Sequence, residues 1–88
     1  MIFRSHALAA FWNYYDALPA DIQHKADKQY GLFAENPNHP SLRMKPVGPF
    51  WAVRVSRGYR ALARRKENDF FGFWIGSHDA YEEILKGA

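Results

Sequence analysis

Six residues carry most of the chemistry that this chain of 88 residues offers: Lys45, Arg54, Arg57, Arg60, His78 and Tyr81. Guanidinium groups present paired N–H donors that match phosphate oxygens, so arginines brought close together make an anion site. A histidine, with an unperturbed pKa of about 6.5, gives or takes a proton at neutral pH. A tyrosine adds a phenol that donates a hydrogen and a ring that stacks. With no cysteine, the chain has no disulfide framework, no thiolate zinc site and no cysteine nucleophile. It carries no glycine-rich phosphate loop and no nucleophile elbow. Neither a metal nor a cofactor is expected.

The formal charge of +3 is unevenly spread. Residues 1–35 hold Arg4, Lys25 and Lys28 against Asp16, Asp21, Asp27 and Glu35, a net of −1. Residues 36–66 hold Arg43, Lys45, Arg54, Arg57, Arg60, Arg64, Arg65 and Lys66 with no acid, a net of +8. Residues 67–88 hold Lys86 against Glu67, Asp69, Asp79, Glu82 and Glu83, a net of −4. Eight cations without a counter-ion repel one another unless a polyanion or an acidic partner is their company. Composition alone leaves two readings open, a solvated basic face and a nucleic-acid-binding one.

The elements that position these residues are short. A chain of this length has room for one core, so residues 1–88 are expected to form one domain, and 17% aromatic content excludes a disordered tail. Apolar stretches such as Ala7–Trp12 and Phe70–Ile75 fall far below the roughly 20 residues of a membrane span, and Met1–Ser5 lacks a signal-peptide pattern, so no membrane and a cytoplasmic location are expected. Ser5 is placed to cap a first helix running to about Ala17, with Leu8, Phe11 or Trp12, Tyr15 and Leu18 on one side. Pro19 breaks it and opens a second helix striped by Ile22, Ala26, Tyr30 and Phe33, so the two form a hairpin. Asn36–Pro40, with two prolines, is a stop and a linker.

Beyond the linker the period becomes alternating. Trp51–Val55, Tyr59–Ala63 and Phe70–Ile75 read as antiparallel strands, with Leu42–Lys45 as a shorter candidate. A three-residue loop, Ser56-Arg57-Gly58, pairs Val55 with Tyr59 and therefore sets Arg54 opposite Arg60 and Val53 opposite Ala61. Arg54 and Arg60 then share an open face, an unfavourable pairing that implies an anion between or above them. A five-residue loop over Arg65–Asp69 is expected to place Arg60 beside Trp74 and to bury Phe71, Phe73 and Ile75 together. Ser77 caps a last helix to about Leu85, with His78 and Tyr81 three apart on one side.

The order of Leu18-Pro19, Ile22-Gln23, the Asn36-Pro37-x-His39-Pro40-Ser41-Leu42 run, Lys45, Trp51-x-Val53-Arg54-Val55, Tyr59-Arg60-Ala61-Leu62 and Trp74-Ile75-Gly76-x-His78-x-x-Tyr81 resembles the RelE/ParE superfamily of type II toxin–antitoxin toxins. The resemblance implies an α+β fold: an N-terminal αα-hairpin packed on a small twisted antiparallel β-sheet, followed by a short C-terminal helix. Most members open with a β-strand, for which only Met1–Arg4 is available here. The resemblance further implies a cognate antitoxin as partner and, in the RelE-like branch, a basic face that cleaves mRNA on the ribosome. A ParE-like inhibitor of DNA gyrase without chemistry of its own is the alternative from a different class, and a non-toxic partner-binding module is a third.

Metal-independent RNA cleavage needs a base for the ribose 2′-hydroxyl, cations for the crowded phosphate, an acid for the leaving 5′-oxygen and in-line positioning. On the endoribonuclease reading, Arg60, His78 and Tyr81 are the catalytic candidates. Lys45, Arg54 and Arg57 bind RNA phosphate, and Trp74 stacks on a base. The plainer alternatives are a hydrogen-bonded helix-start histidine for His78, a core aromatic for Tyr81 or Trp74, and a solvated edge lysine for Lys45.

Overall fold

The computed structural model describes residues 4–87, in the order β1 (Arg4–Ala7), α1 (Ala9–Asp16), α2 (Ala20–Glu35), a 3-10 turn (Pro40–Leu42), β2 (Lys45–Val47), β3 (Phe50–Ser56), β4 (Tyr59–Lys66), β5 (Asp69–Ser77) and α3 (His78–Lys86). The strands form one sheet ordered β1-β5-β4-β3-β2. β1 pairs in parallel with β5 and the other neighbours are antiparallel, so the α+β architecture stands with a mixed sheet.

The first helix starts later than its sequence suggests. Ser5 is a β1 residue opposite Phe70, and α1 begins after Leu8, whose N–H donates to the Gly72 carbonyl. The segment Arg4-Ser-His-Ala7 has little β propensity of its own; pairing with β5 makes it a strand. That strand begins at Arg4, the last residue of the Met1–Arg4 stretch expected to supply it, the rest of which is outside the described residues. α1 and α2 are tied by the Tyr15 hydroxyl donating to Asp27 (2.8 Å) and by Gln23 Nε2 donating to the Tyr15 carbonyl (3.0 Å). Of the expected α2 stripe, Ile22, Ala26 and Phe33 are buried, whereas Tyr30 is exposed.

Each face of the sheet carries a core. Val55, Ile75, Ala63 and Phe70 meet Ile22, Ala26, Phe33 and Leu42 beneath the helix hairpin and linker. On the other face Ala52, Leu62 and Trp74 pack with Tyr81, with Ile84 and Leu85 of α3 alongside. The Ser77 hydroxyl accepts from the Ala80 N–H (3.2 Å), so the cap that starts α3 is the one the sequence indicates.

The β3–β4 register agrees with the sequence at Arg54↔Arg60 and Val53↔Ala61. Its turn differs: Ser56 pairs with Tyr59, so Val55 becomes a bulge instead of Tyr59's partner. The β4–β5 register departs further. Lys66 pairs with Asp69 across Glu67-Asn68, Glu67 adopts φ 56°, and a bulge interrupts the ladder between Leu62↔Trp74 and Ala63↔Gly72. Arg60 is therefore opposite Gly76, not Trp74, and Phe73 is diverted to the α3 face against Phe50 while Ile75 stays under the helices.

Candidate functional site

Arg54 and Arg60 occupy facing positions on β3 and β4, and Gly76 continues the row on β5. Arg60 is half-buried, and its Nη1 donates to the carbonyls of Ser56 (2.6 Å) and Tyr59 (2.8 Å), with Arg57's carbonyl at 3.5 Å. The hairpin thus grips one guanidinium nitrogen and fixes the direction of the fork. Burial pulls the Arg60 pKa down from its ordinary value, and the neighbouring cations Arg54 and Arg43 pull the same way. Arginine remains protonated at neutral pH even so. Among the described residues no carboxylate pairs with Arg54 or Arg60.

The start of α3 is fastened to this hairpin. The His78 N–H donates to the Gly58 carbonyl (2.8 Å), and Tyr59 pairs with Ser77. His78 has its ring 5.5 Å from that of Tyr81, and its Nε2 lies 3.4 Å from Glu82 Oε1. The Tyr81 ring is buried, and burial together with Glu82 raises its phenol pKa, while Arg60 opposes that rise. At neutral pH it is a protonated donor within electrostatic reach of Arg60.

Arg54, Arg60, His78 and Tyr81 are thus brought together. Lys45, opposite Ala52, is on the same face of the sheet as Arg54 but farther along β3, and it is exposed. Arg57 stands exposed at the turn. Trp74 departs from its expected part: it is 5% exposed beneath α3, so its ring has no free face for a base. The apolar positions Tyr81, Ile84 and Leu85 on α3 were the signal that the second sheet face would be covered. Gly76 is what lets that ring lie flat, because a Cβ there would come within 2.6 Å of Trp74 Cζ2.

Two features escaped sequence reasoning. Gln29 Nε2 donates both to the Ser41 carbonyl (3.1 Å) and to the Arg54 carbonyl (2.8 Å), which pins the linker and β3 to α2. Arg43 adopts φ 44°, a left-handed conformation unusual for a side chain of its size. No local pattern announces either. Among the described residues no cluster of three or more His, Cys, Asp or Glu could hold a metal, and no helix is long and apolar enough to cross a membrane.

No curated protein matches the sequence. Solved structures do match the fold. A chain of the toxin–antitoxin complex RelBE2 from Mycobacterium tuberculosis superposes with a TM-score of 0.70 at 16% identity, covering 89% of this chain and 100% of that one. A mutant of Escherichia coli toxin RelE in the free state gives 0.65 at 15% identity, over 99% of this chain and 98% of that one. YafQ from Escherichia coli gives 0.68 at 12% identity, over 90% and 97%. At such identities the likeness is one of fold. Residues 20–83, from the first turn of α2 through most of α3, match the family model of the ParE-like toxin domain, and the chain belongs to that family.

Proposed function

We propose that this chain is the toxin of a type II toxin–antitoxin pair and acts as a metal-independent endoribonuclease on translated mRNA. The observation that carries the reading is the facing pair Arg54–Arg60, with no carboxylate partner among the described residues, beside the His78 imidazole and a protonated Tyr81. Arg60 holds the scissile phosphate through the guanidinium edge that the hairpin carbonyls leave available, and Arg54 shares the charge. His78 serves as base toward the ribose 2′-hydroxyl, with Glu82 orienting the ring and stabilising the imidazolium that forms. Tyr81, whose raised pKa makes it a poor base, is the donor to the leaving 5′-oxygen. Lys45 and Arg57 contact flanking phosphates.

The antitoxin is an amphipathic or acidic chain laid over the helices and the basic face. Trp12 and Tyr30, about half exposed, flank an apolar cavity of ≈ 410 Å³ between the helix hairpin and the sheet, which suits apolar anchors of such a chain.

A translation extract tests the activity. The wild type is expected to fragment a reporter mRNA, and Arg60→Ala and His78→Ala to slow fragmentation by about 100-fold or more. The match to a ParE-like model favours a second reading, inhibition of DNA gyrase by contact. Loss of supercoiling activity with mRNA intact would establish that reading and remove the nuclease.

A further inference from the structure

Past Ala52, β3 has no strand neighbour on its β2 side among the described residues, and α2 and the linker approach this edge instead. Between them lies a cleft of ≈ 410 Å³ lined by Lys25, Lys28, Gln29, Ser41, Arg43 and Arg54, with Val55 as the one apolar side chain among the described residues. None of its four cations has a carboxylate partner among the described residues. Gln29 bridges the Ser41 and Arg54 carbonyls across the cleft, so its walls are held at a fixed spacing. Arg43 takes a left-handed backbone conformation that is strained for a side-chain-bearing residue, and such conformations cluster at ligand-binding sites. Arg43 also acts electrostatically on Arg60, and Arg54 belongs to both the cleft and the Arg60 row.

From this we infer that the cleft is a second phosphate site, in which Lys25, Lys28 and Arg43 bind the backbone of the RNA strand flanking the phosphate held at Arg54 and Arg60. The inference rests on the endoribonuclease reading and extends it to residues on the other side of the β3 edge. Cations that run without interruption from α2 through Arg43 and Arg54 to Arg60 suit a ligand with charge repeated along its length. Among the described residues the cleft has no aromatic ring for a base, and Val55 is the one apolar residue in its lining, so it recognises phosphodiesters and not sequence. A docking peptide is held by large apolar anchors, for which Val55 is the one apolar residue lining this cleft among the described residues.

The test measures binding of a fluorescein-labelled 12-nucleotide 2′-O-methyl RNA, which resists 2′-hydroxyl attack, between 0.05 and 0.3 M NaCl. Lys28→Gln/Arg43→Gly removes two cleft cations, and glycine accepts the left-handed conformation at position 43. Lys66→Gln/Lys86→Gln removes the same net charge elsewhere, and circular dichroism checks that both variants fold. The cleft variant is expected to lower the slope of log affinity against log salt by about 1.4 and affinity at 0.1 M salt by about tenfold, with at most half that effect in the other variant. Equal losses in both variants would overturn the inference by reducing the effect to net charge. A cleft variant that binds RNA like the wild type but loses a labelled dodecaglutamate would overturn it in favour of an acidic peptide. Arg60→Ala is measured alongside: if it leaves RNA affinity and mRNA fragmentation unchanged, the catalytic reading falls separately, whatever the cleft variant does.

Discussion

Arg54 and Arg60 face each other with no carboxylate partner among the described residues, and like charges in facing strand positions are destabilising by a few tenths of a kcal/mol to about 1 kcal/mol. Arg54→Gln is therefore expected to raise the unfolding free energy in denaturant by about 0.5 kcal/mol at low salt, while weakening RNA binding. A loss of stability would mean that the pair is not under repulsion. Gly76→Ala is expected to destabilise by about 1–3 kcal/mol, because the new methyl meets a buried indole that has no room to move. Two tyrosines contribute to the alkaline limit. Tyr15 is raised first by donating to Asp27 and Tyr81 first by burial, so the folded chain holds both protons more tightly than the unfolded one. That contribution is whole below a tyrosine's usual pKa of about 10 and is lost as pH rises through the folded values. Unfolding free energy should fall above pH of about 10, and less steeply in Tyr15→Phe/Tyr81→Phe; denaturant titrations from pH 8 to 11 read both. At this scale the sequence named the arginine pair and the His78–Tyr81 pair correctly as neighbours. It left Trp74 open between a base-stacking ring and a core aromatic, and the structure makes it core because α3 folds back over the second face.

Local signals read well where an element is stabilised by its own residues. Ser77 opens α3 as its sequence position indicates, and Ser77→Ala is expected to cost about 1 kcal/mol and to speed amide exchange through the first turn of α3, which carries His78. The β3–β4 register was legible at Arg54↔Arg60 and Val53↔Ala61 because the alternation of Val53 and Val55 leaves few pairings; at the turn it was not, since Ser56 takes Tyr59 as partner and Gly58 does not adopt a left-handed conformation. β1 was not, since Arg4–Ala7 becomes a strand only through β5, sixty-odd residues away in sequence. The β4–β5 register was hidden for a different reason: a Glu67-Asn68 turn with Glu67 at φ 56° lacks the usual glycine signal, and the bulge near Phe73 shifts the parity of the residues before it.

Across the whole molecule, the block of eight cations divides by environment. Arg64 lies over the rings of Phe50 and Phe73, and Arg65 over those of Trp51 and Phe70, so these two serve the fold through cation–π contacts. Lys66 is exposed at the end of β4; Lys45, Arg43, Arg54, Arg57 and Arg60 are left for an anion, and α2 adds Lys25 and Lys28 from the part of the chain with net negative charge. Linear charge counting could not see that addition, because folding brings α2 against β3. A polyanion that binds only the folded state raises its stability by mass action, so tripolyphosphate is expected to raise the melting temperature at low salt, with the gain disappearing above about 0.5 M NaCl. The most direct test of the central claim follows the arginine Nε–Hε signals by NMR while the 2′-O-methyl RNA is added. Shifts of Arg54 and Arg60 that saturate together, and are larger than those of Arg64 and Arg65, are the predicted result. Unmoved Arg54 and Arg60 signals while RNA binds elsewhere would contradict it.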